Sequence, residues 1–503
     1  MRTFSIGGVH PHDNKLSAGV AIETLPLPEH AVIPLSQHIG APATPVVAKG
    51  DKVLAGQLIA AASGFMSSNI HSPYSGTIEK IDNAVDGWGI STPSIFIKVE
   101  GDDWMPEIIR DGVVNRINNM EPAEIIKKIA DAGIVGLGGA CFPTQVKLTP
   151  PPTAKAEVLV VNGVECERFL TCDHRLMLEH GEEIFIGISL IMKAIKVEKA
   201  VIGIECNKRD AIEHLSKIAV RYYGVEICPL KMHYPQGGEK QLIEATIGRQ
   251  VPSGALPIAV GAVVQNVATC YAVYEAVQKN KPLIDRVLTV TGPNVSRPVN
   301  LRVRFGTPIM DVIAAAGGLP ENSAKVIAGG PMMGRSMSNL DTNTTKRISG
   351  VLILPEKMTR RMKADNCIRC GKCVDACPMG LEPYLLMSLS ENSMWDRVEK
   401  EKVMDCIECG CCLYSCPSHR PLLSPAPHIH CGDTVKGKML DVVIALIPAY
   451  LVALYFFGFG ALCVSLISIA SCLLFEFLIQ KFILKGENTL GNLSALVTGV
   501  LLS

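Results

Sequence analysis

The spacing of apolar and polar residues divides the chain into stretches of different period. Between residues 31 and 100, short apolar runs alternate with turn signals such as Gly50-Asp51 and Ser75-Gly76, which predicts a unit of short β-strands. Between 118 and 285 the pattern alternates. EPAEIIKKIADAG and GEEIFIGISLIMKAI have helical spacing, while AEVLVVNG and KAVIGIEC are continuous apolar runs of strand length. That alternation predicts an α/β domain with a largely parallel sheet. Residues 286–356 open on VLTVTG and return with VNLRVRFGTPIMDVIAAAGG, which predicts a small α+β module. From Val442 to Phe475 no charged residue occurs, with Asp441 and Glu476 as the bounds. As one straight helix this run would be about 50 Å long, against a hydrocarbon core of roughly 30 Å. Two spans are therefore expected, near 440–457 and 461–480, turned around Gly458-Phe459-Gly460, with a third apolar stretch from about Leu493. Residues 424–438, with Pro425, Pro427, His428 and His430, read as a polar linker whose histidines are solvated.

Composition changes this picture in three ways. A chain of 503 residues is too long for one core, so several domains are expected. Lys and Arg total 48, as do Asp and Glu, and this neutral balance gives no basic excess for nucleic acid. The mean hydropathy of +0.27 reflects the last sixty or so residues. The N-terminus MRTFSIGGVHPHDNK lacks the apolar core of a signal peptide, so the body of the chain is expected in the cytoplasm. In that reducing compartment eighteen cysteines point to metal or redox chemistry before disulfides.

Eight of these cysteines fall into two matching runs, CIRCGKCVDACP from Cys367 and CIECGCCLYSCP from Cys406. Both fit C-x-x-C-x-x-C-x-x-x-C-P. In that arrangement three thiolates on a tight loop hold three corners of a 4Fe–4S cubane, and the fourth turns away to the other cluster. One cluster is then expected on Cys367, Cys370, Cys373 and Cys416, and the other on Cys406, Cys409, Cys412 and Cys377. Gly371 and Gly410 let the loop backbone approach the clusters, and Pro378 and Pro417 end the motifs. Cys411 falls outside the ligand spacing. The competing reading is a pair of structural zinc sites of four cysteines each, although zinc ribbons show paired C-x-x-C motifs and not two full runs.

Three further segments carry candidate binding chemistry. GIVGLGGACFPTQVKL, from Gly133 to Leu148, is a glycine-rich loop able to bring backbone N–H groups against a phosphate or a ring. VNGVECE, from Val161 to Glu167, puts Glu165 and Glu167 at the carboxyl end of a strand, where open α/β sheets bind ligands. YPQGGEKQL, from Tyr234 to Leu242, is a glycine turn entering a helix. Cys166 and Cys172 read as buried thiols, and Cys463 and Cys472 as apolar fillers of the spans.

Together these segments resemble the NADH- and FMN-binding flavoprotein subunit of respiratory complex I. That family has a GRGGAGFPTG-x-K loop, N-A-D-E-x-E-P-G, Y-x-x-G-E-E-T-A-L and I-N-N-V-E-T. Gly136, Gly138, Gly139, Ala140, Phe142, Pro143, Thr144 and Lys147 match the first, and Asn162, Glu165 and Glu167 the second. Tyr234, Gly237, Glu239 and Leu242 match the third, and Asn266, Val267 and Thr269 the last. The resemblance implies that the loop and the asparagines cradle non-covalent FMN, that Lys147 meets its phosphate, and that the acidic segment faces the nicotinamide of NADH. Leu137, Cys141 and Val164 stand where that family has arginine, glycine and aspartate.

Residues 38–81 also resemble the barrel-sandwich domain of biotinyl and lipoyl carriers. The hairpin Gly64–Ser68 has no lysine for a swinging cofactor, so a structural β-domain is expected. Over residues 1–423 the order of units resembles the C subunit of the Rnf/Rsx family of ion-translocating electron-transport complexes. From residue 424 on, the sequence is similar to the start of the membrane-embedded D subunit, as in a fusion of the two. The expected fold class is multidomain α/β and α+β. It comprises a barrel-sandwich unit (1–117), a flavoprotein-like α/β domain (118–285), a β-grasp-like soluble ligand-binding module (286–356), a two-cluster ferredoxin domain (357–423) and a linker with transmembrane helices (424–503). The resemblance implies electron transfer between NADH or NAD and ferredoxin or membrane partners. It also implies complex formation with other subunits, and soluble domains on the cytoplasmic face of the inner membrane. A soluble diaphorase, as in hydrogenase or formate dehydrogenase, and a redox-inactive iron–sulfur scaffold are the alternatives.

Overall fold

A computed structural model describes residues 1–116, 119–360, 364–420, 427–484 and 489–503. The expected boundaries at 117/118 and 423/424, and Pro425 of the linker, lie outside the described residues.

The β-rich unit is two antiparallel sheets. One runs His30–Pro34, Ser91–Gly101, Ser75–Val85, Lys52–Val53, and the other Thr44–Pro45, Leu58–Ala61, Ile70–His71. Alternation sends Ile33, Ile78, Ile95 and Ile97 into a core closed by Ile59 and Tyr74. The unit is narrower than residues 1–117, because the first 24 residues leave it. Arg2 bridges to Leu230, Val9 bridges to Tyr234, and Ile22–Thr24 adds a parallel edge strand to the β-grasp-like module. A three-residue strand is too short to show a period, so no local pattern marks this arm.

The α/β domain has four parallel strands in the order Val225–Leu230, Ala200–Glu205, Val158–Asn162, Ala262–Asn266. Helices cover both faces, which is why Ala200–Glu205 is buried throughout and reads as an unbroken apolar run. The helix Gly181–Ile195 buries Ile184, Ile188 and Ile191 one turn apart. The chain moves outward from Val158–Asn162 through the next two strands, then returns to its other side with Ala262–Asn266. That reversal is a topological switch point, and Asn162 and Asn266 face each other in register at its carboxyl edge.

The third unit is a six-stranded mixed sheet in the order Ile22–Thr24, Val299–Arg304, Asp285–Thr291, Gly350–Pro355, Ser323–Ala328, Arg335–Ser336. The cysteine-rich unit has near two-fold local symmetry. Arg369 and Glu408 have φ of +54° and +53°, and Gly371 and Gly410 have +76° and +77°. Each glycine opens a single helical turn, Lys372–Asp375 or Cys411–Tyr414.

Beyond it, Val435–Phe457 and Phe459–Ile483 are two helices long and apolar enough to cross a membrane, reversed at Gly458 (φ +62°). The first begins earlier than 440 because the Thr434 hydroxyl caps it, accepting from the Gly437 N–H at 3.1 Å. Ser494–Leu501 forms the third apolar helix. The linker histidines require a correction. His428 is buried, its N–H donates to the Pro331 carbonyl at 2.8 Å, and its Nε2 lies 3.0 Å from the Gly334 carbonyl. Ile429 enters a core with Met332, Leu354 and Cys411, and the His430 ring meets that of His419 edge-on. Polar composition marks a segment as solvated only when its backbone has no partner. Here a loop of the neighbouring module supplies one.

Candidate functional site

The glycine loop begins where Gly133 (φ +66°) ends the helix Pro122–Asp131. It closes on itself: the Gly136 N–H donates to the Phe142 carbonyl at 2.9 Å, and Val135 bridges Pro143. Phe142 is partly buried at its base. The tip is pinned where the Leu137 N–H donates to the Thr269 hydroxyl at 2.9 Å. A Cβ on Gly138 would lie 3.0 Å from that of Asn266, so glycine sets the close approach of loop to strand end. Gly139 faces open space. The buried Thr144 hydroxyl has no partner among the described residues. Lys147 Nζ is 2.6 Å from a Glu239 carboxylate oxygen, next to Gly237, whose carbonyl accepts from Asn162 Nδ2 at 3.0 Å. Gly136, Gly138, Gly139, Thr144, Lys147, Asn162, Gly237, Glu239 and Asn266 thus meet around one switch-point crevice. A glycine tip with free space, an orphaned donor and a nearby ammonium fit a planar, phosphorylated group such as FMN.

The two glutamates of the acidic segment are held differently. Glu165 (φ +45°) caps the helix Cys172–Glu179, accepting from the Asp173 N–H at 2.8 Å and the His174 N–H at 3.2 Å. Asp173, which no motif singles out, accepts from Asn266 Nδ2 at 2.7 Å and is therefore tied to the crevice. Burial and the Glu165 charge push Asp173 up to about 7. Glu167 reaches the β-grasp-like module, accepting from the Met332 and Met333 N–H groups at 3.1 and 2.6 Å. Gly330 must be glycine there, since a Cβ would lie 2.2 Å from Glu167 Oε2. Beneath the segment, Lys15 Nζ donates to the carbonyls of Glu165, Glu167 and Leu170, and Lys208 Nζ to that of Val164. Both lysines lie far from it in sequence, and no local pattern marks them.

Burial pushes Glu167 up from 4.5 to about 7, so the folded state holds this proton more tightly than the unfolded chain. The stability it contributes is whole below pH 4.5 and is lost as pH rises through about 7, with Asp173 acting in the same sense. The free energy of unfolding read from urea titrations should fall across that window by roughly 2 kcal/mol for a partly screened carboxylate, and Glu167→Gln should flatten the slope. An unchanged slope in the variant would refute the assignment.

The cysteine-rich unit sorts its thiols across the two motifs. Burial raises Cys373, and the neighbouring thiols acting on it are Cys416 and Cys370. Burial likewise raises Cys412, whose thiol neighbours are Cys409, Cys377 and Cys406. Cys377 therefore sits with the second motif and Cys416 with the first. Cys367 is exposed at the start of the first loop. Zinc would draw four thiolates to about 3.8 Å from one another, given Zn–S bonds of roughly 2.3 Å. Among the described residues, the one group of three candidate ligand atoms all within 4.8 Å of one another is Glu165, Cys172 and Asp173, so no three of the eight thiols are drawn that close together. Backbone N–H groups of Leu381 and Glu408 approach Cys377 and Cys406 Sγ at 3.4 Å each. Cys411 points into the domain interface, 3.9 Å from the Tyr234 carbonyl. The Tyr234 hydroxyl donates to the Cys409 carbonyl at 2.9 Å in a buried contact. The turn Tyr234–Gly237 thus touches the Cys409 loop at one end and Asn162 at the other.

Comparison with known proteins follows this division. Residues 3–102 match the RnfC barrel sandwich hybrid domain, 129–275 the Nuo51 FMN-binding domain and 287–336 the SLBB domain. Residues 359–417 match the 4Fe-4S dicluster domain and 422–503 the NQR2, RnfD, RnfE family. The chain is 45% identical over 399 residues to the C subunit of the proton-translocating ferredoxin:NAD(+) oxidoreductase complex of Clostridium ljungdahlii, covering 78% of this chain and 86% of that one. It is 43% identical over 399 residues to the Na(+)-translocating counterpart of Acetobacterium woodii, covering 79% and 90%. Among solved structures, an NAD+-reducing NiFe-hydrogenase in the H2-reduced state aligns at 19% identity and a TM-score of 0.45, covering 58% of this chain and 60% of that one.

Proposed function

Because the chain belongs to the C-subunit family of ion-translocating ferredoxin:NAD oxidoreductase complexes, we propose that it exchanges electrons with NAD(H) at the crevice between Asn162 and Asn266, beside the second cysteine quartet. It is an electron-transfer subunit of a membrane complex, with an FMN-binding domain and a 4Fe–4S dicluster domain. When bound, FMN supplies hydride exchange with nicotinamide and single-electron exchange with the clusters. The chain's own residues supply the geometry. Gly138 and Gly139 present backbone, Thr144 offers a hydroxyl donor, and Lys147 offers a positive charge. Asn162 and Asn266 fix the floor of the crevice. Glu165 and Glu167 act as positioning residues, through the helix that one caps and the module that the other holds. The observation that carries this reading is the turn Tyr234–Gly237, which shares residues between crevice and cluster loop. Ferredoxin and the other membrane subunits are the partners on the far side of the clusters.

Anaerobic purification with iron, sulfide and flavin counted per chain tests it. About eight irons and about one FMN, with cluster signals appearing on addition of NADH, are expected. Clusters that stay silent to both NADH and reduced ferredoxin would overturn the proposal in favour of a scaffold.

The soluble domains face the cytoplasm in this proposal. Lys436 and Lys438 lie in the first turn of the first helix and Lys481 in the last turn of the second, while residues 439–480 contain no Lys or Arg. A hairpin with its basic ends on the side of the soluble domains satisfies the positive-inside rule. The outward faces carry Leu451, Phe456 and Phe457, each more than half exposed, as contact with lipid requires. After a carbonate wash the protein should remain in the membrane pellet. Recovery in the supernatant would refute membrane insertion.

A further inference from the structure

The glycine loop lacks a cation of its own, since position 137 is leucine, yet two buried cations reach it from outside its domain. Arg286, in the strand Asp285–Thr291 of the neighbouring module, donates through Nη2 to the Leu137 carbonyl at 3.0 Å and through Nη1 to the Lys346 carbonyl at 2.5 Å. Lys346 donates through Nζ to the Gly133 carbonyl at 2.8 Å and to the Asn69 carbonyl at 3.1 Å. The two side chains thus hold the loop at its start and at its tip. Lys346 is in turn fixed from the barrel-sandwich unit, where Gln37 Oε1 accepts from its backbone N–H at 3.1 Å.

Both are buried, at 5% and 1% exposure. Neither has a carboxylate within ion-pair distance among the described residues, and carbonyl oxygens satisfy both. A buried cation without a counter-charge is costly, and packing alone would be served by apolar side chains of similar size. What the pair provides beyond packing is positive charge in a region of low dielectric beside the loop. Its field reaches the groups around the crevice. Burial raises Asp173, Cys172 and Cys141, and Arg286 draws each of them back down, joined at Cys141 by the exposed Arg347 and by Lys346.

We infer that Arg286 and Lys346 are positioning residues for the flavin, which fix the glycine loop and place beside it uncompensated positive charge that raises the FMN midpoint potential. The β-grasp-like module then serves as the electrostatic backing of the flavin cleft. Reduced flavin is anionic at neutral pH, so nearby positive charge favours it over the oxidised ring. This rests on assigning the loop Gly136–Thr144 to FMN.

The test uses the full chain in detergent under anaerobic conditions, with FMN affinity read by fluorescence and the flavin midpoint by redox titration. Arg286→Met should weaken FMN binding about tenfold through loss of a charged hydrogen bond to the loop. If it weakens the reduced form about tenfold more than the oxidised, the midpoint falls by about 30 mV, the two-electron equivalent of that factor. Arg286→Lys keeps the charge and should restore the midpoint while recovering affinity only in part. Lys346→Met carries the same prediction for the midpoint should Arg286→Met fail to fold, with iron content as the folding control for each. Variants that bind FMN with unchanged affinity and midpoint would overturn the inference, and equal shifts in Arg286→Met and Arg286→Lys would overturn its electrostatic part. A wild-type chain that binds no FMN would overturn the cleft assignment itself, and the inference with it.

Discussion

Cys377→Ser and Cys409→Ser should each remove the same cluster, although the two residues belong to different sequence motifs. Iron should fall from about eight to about four per chain in either variant, with the same paramagnetic signal lost and the other retained. Cys370→Ser and Cys416→Ser form the complementary pair. The reason is the single helical turn that follows each glycine. Lys372–Asp375 carries Cys377 away from its own loop and into the field of Cys409, while Cys411–Tyr414 carries Cys416 toward Cys373. The quartet with Cys409 is also the one against the flavin-binding domain, through the Tyr234 hydroxyl and through Gln241 Nε2, which donates to the Pro378 carbonyl at 3.1 Å. Its loss should therefore interrupt reduction of the remaining cluster by NADH while leaving flavin reduction intact. If Cys377→Ser extinguished the signal that Cys370→Ser extinguishes, the crossing of ligands between motifs would be wrong.

Local chemistry makes much of this legible in the sequence. The two cysteine runs, the helix Gly181–Ile195 and the strands Val158–Asn162 and Ala200–Glu205 all follow from spacing within a dozen residues. The reversal of the two apolar spans follows from the mismatch between the uncharged run and the bilayer. The features that the sequence hides are long-range and electrostatic. Lys15 and Lys208 act on a segment 150 and 44 residues away, and Arg286 acts on Leu137 from 149 residues away. A lysine on a helix N-terminus reads as a solvated surface group until tertiary packing buries it. The parallel edge strand Ile22–Thr24 and the docked segment around His428 stay hidden for the same reason: their partners are backbone groups of another domain, which leave no trace in the composition of either segment. Asp173 draws no notice because an acidic residue in a first helical turn has a sufficient local explanation in the helix dipole. Its contact with Asn266 shows that the same carboxylate also serves the crevice.

Lys208→Met should destabilise the α/β domain by about 3–5 kcal/mol, the cost of leaving a buried charge without its partner. Lys208 is 1% exposed and Glu205, at 3.8 Å from it, is 2% exposed. Burial pushes the Glu205 carboxyl up, and the Lys208 and Lys15 charges draw it back down. Without the ammonium, Glu205 either keeps an ill-compensated charge or takes up a proton, and the Val164 carbonyl loses its donor at 2.7 Å. Val164 lies between Asn162 and Glu165, so the local loss falls on the crevice as well as on the sheet. Hydrogen exchange in Ala200–Glu205 and the temperature of FMN release should both report it. Lys208→Met combined with Glu205→Gln should recover most of the loss, because removing both charges removes the desolvation penalty along with the attraction. A single-variant cost below about 1 kcal/mol would mean that Lys15 alone compensates Glu205, and that the acidic segment is held from the N-terminal arm and not from the strand end beneath it.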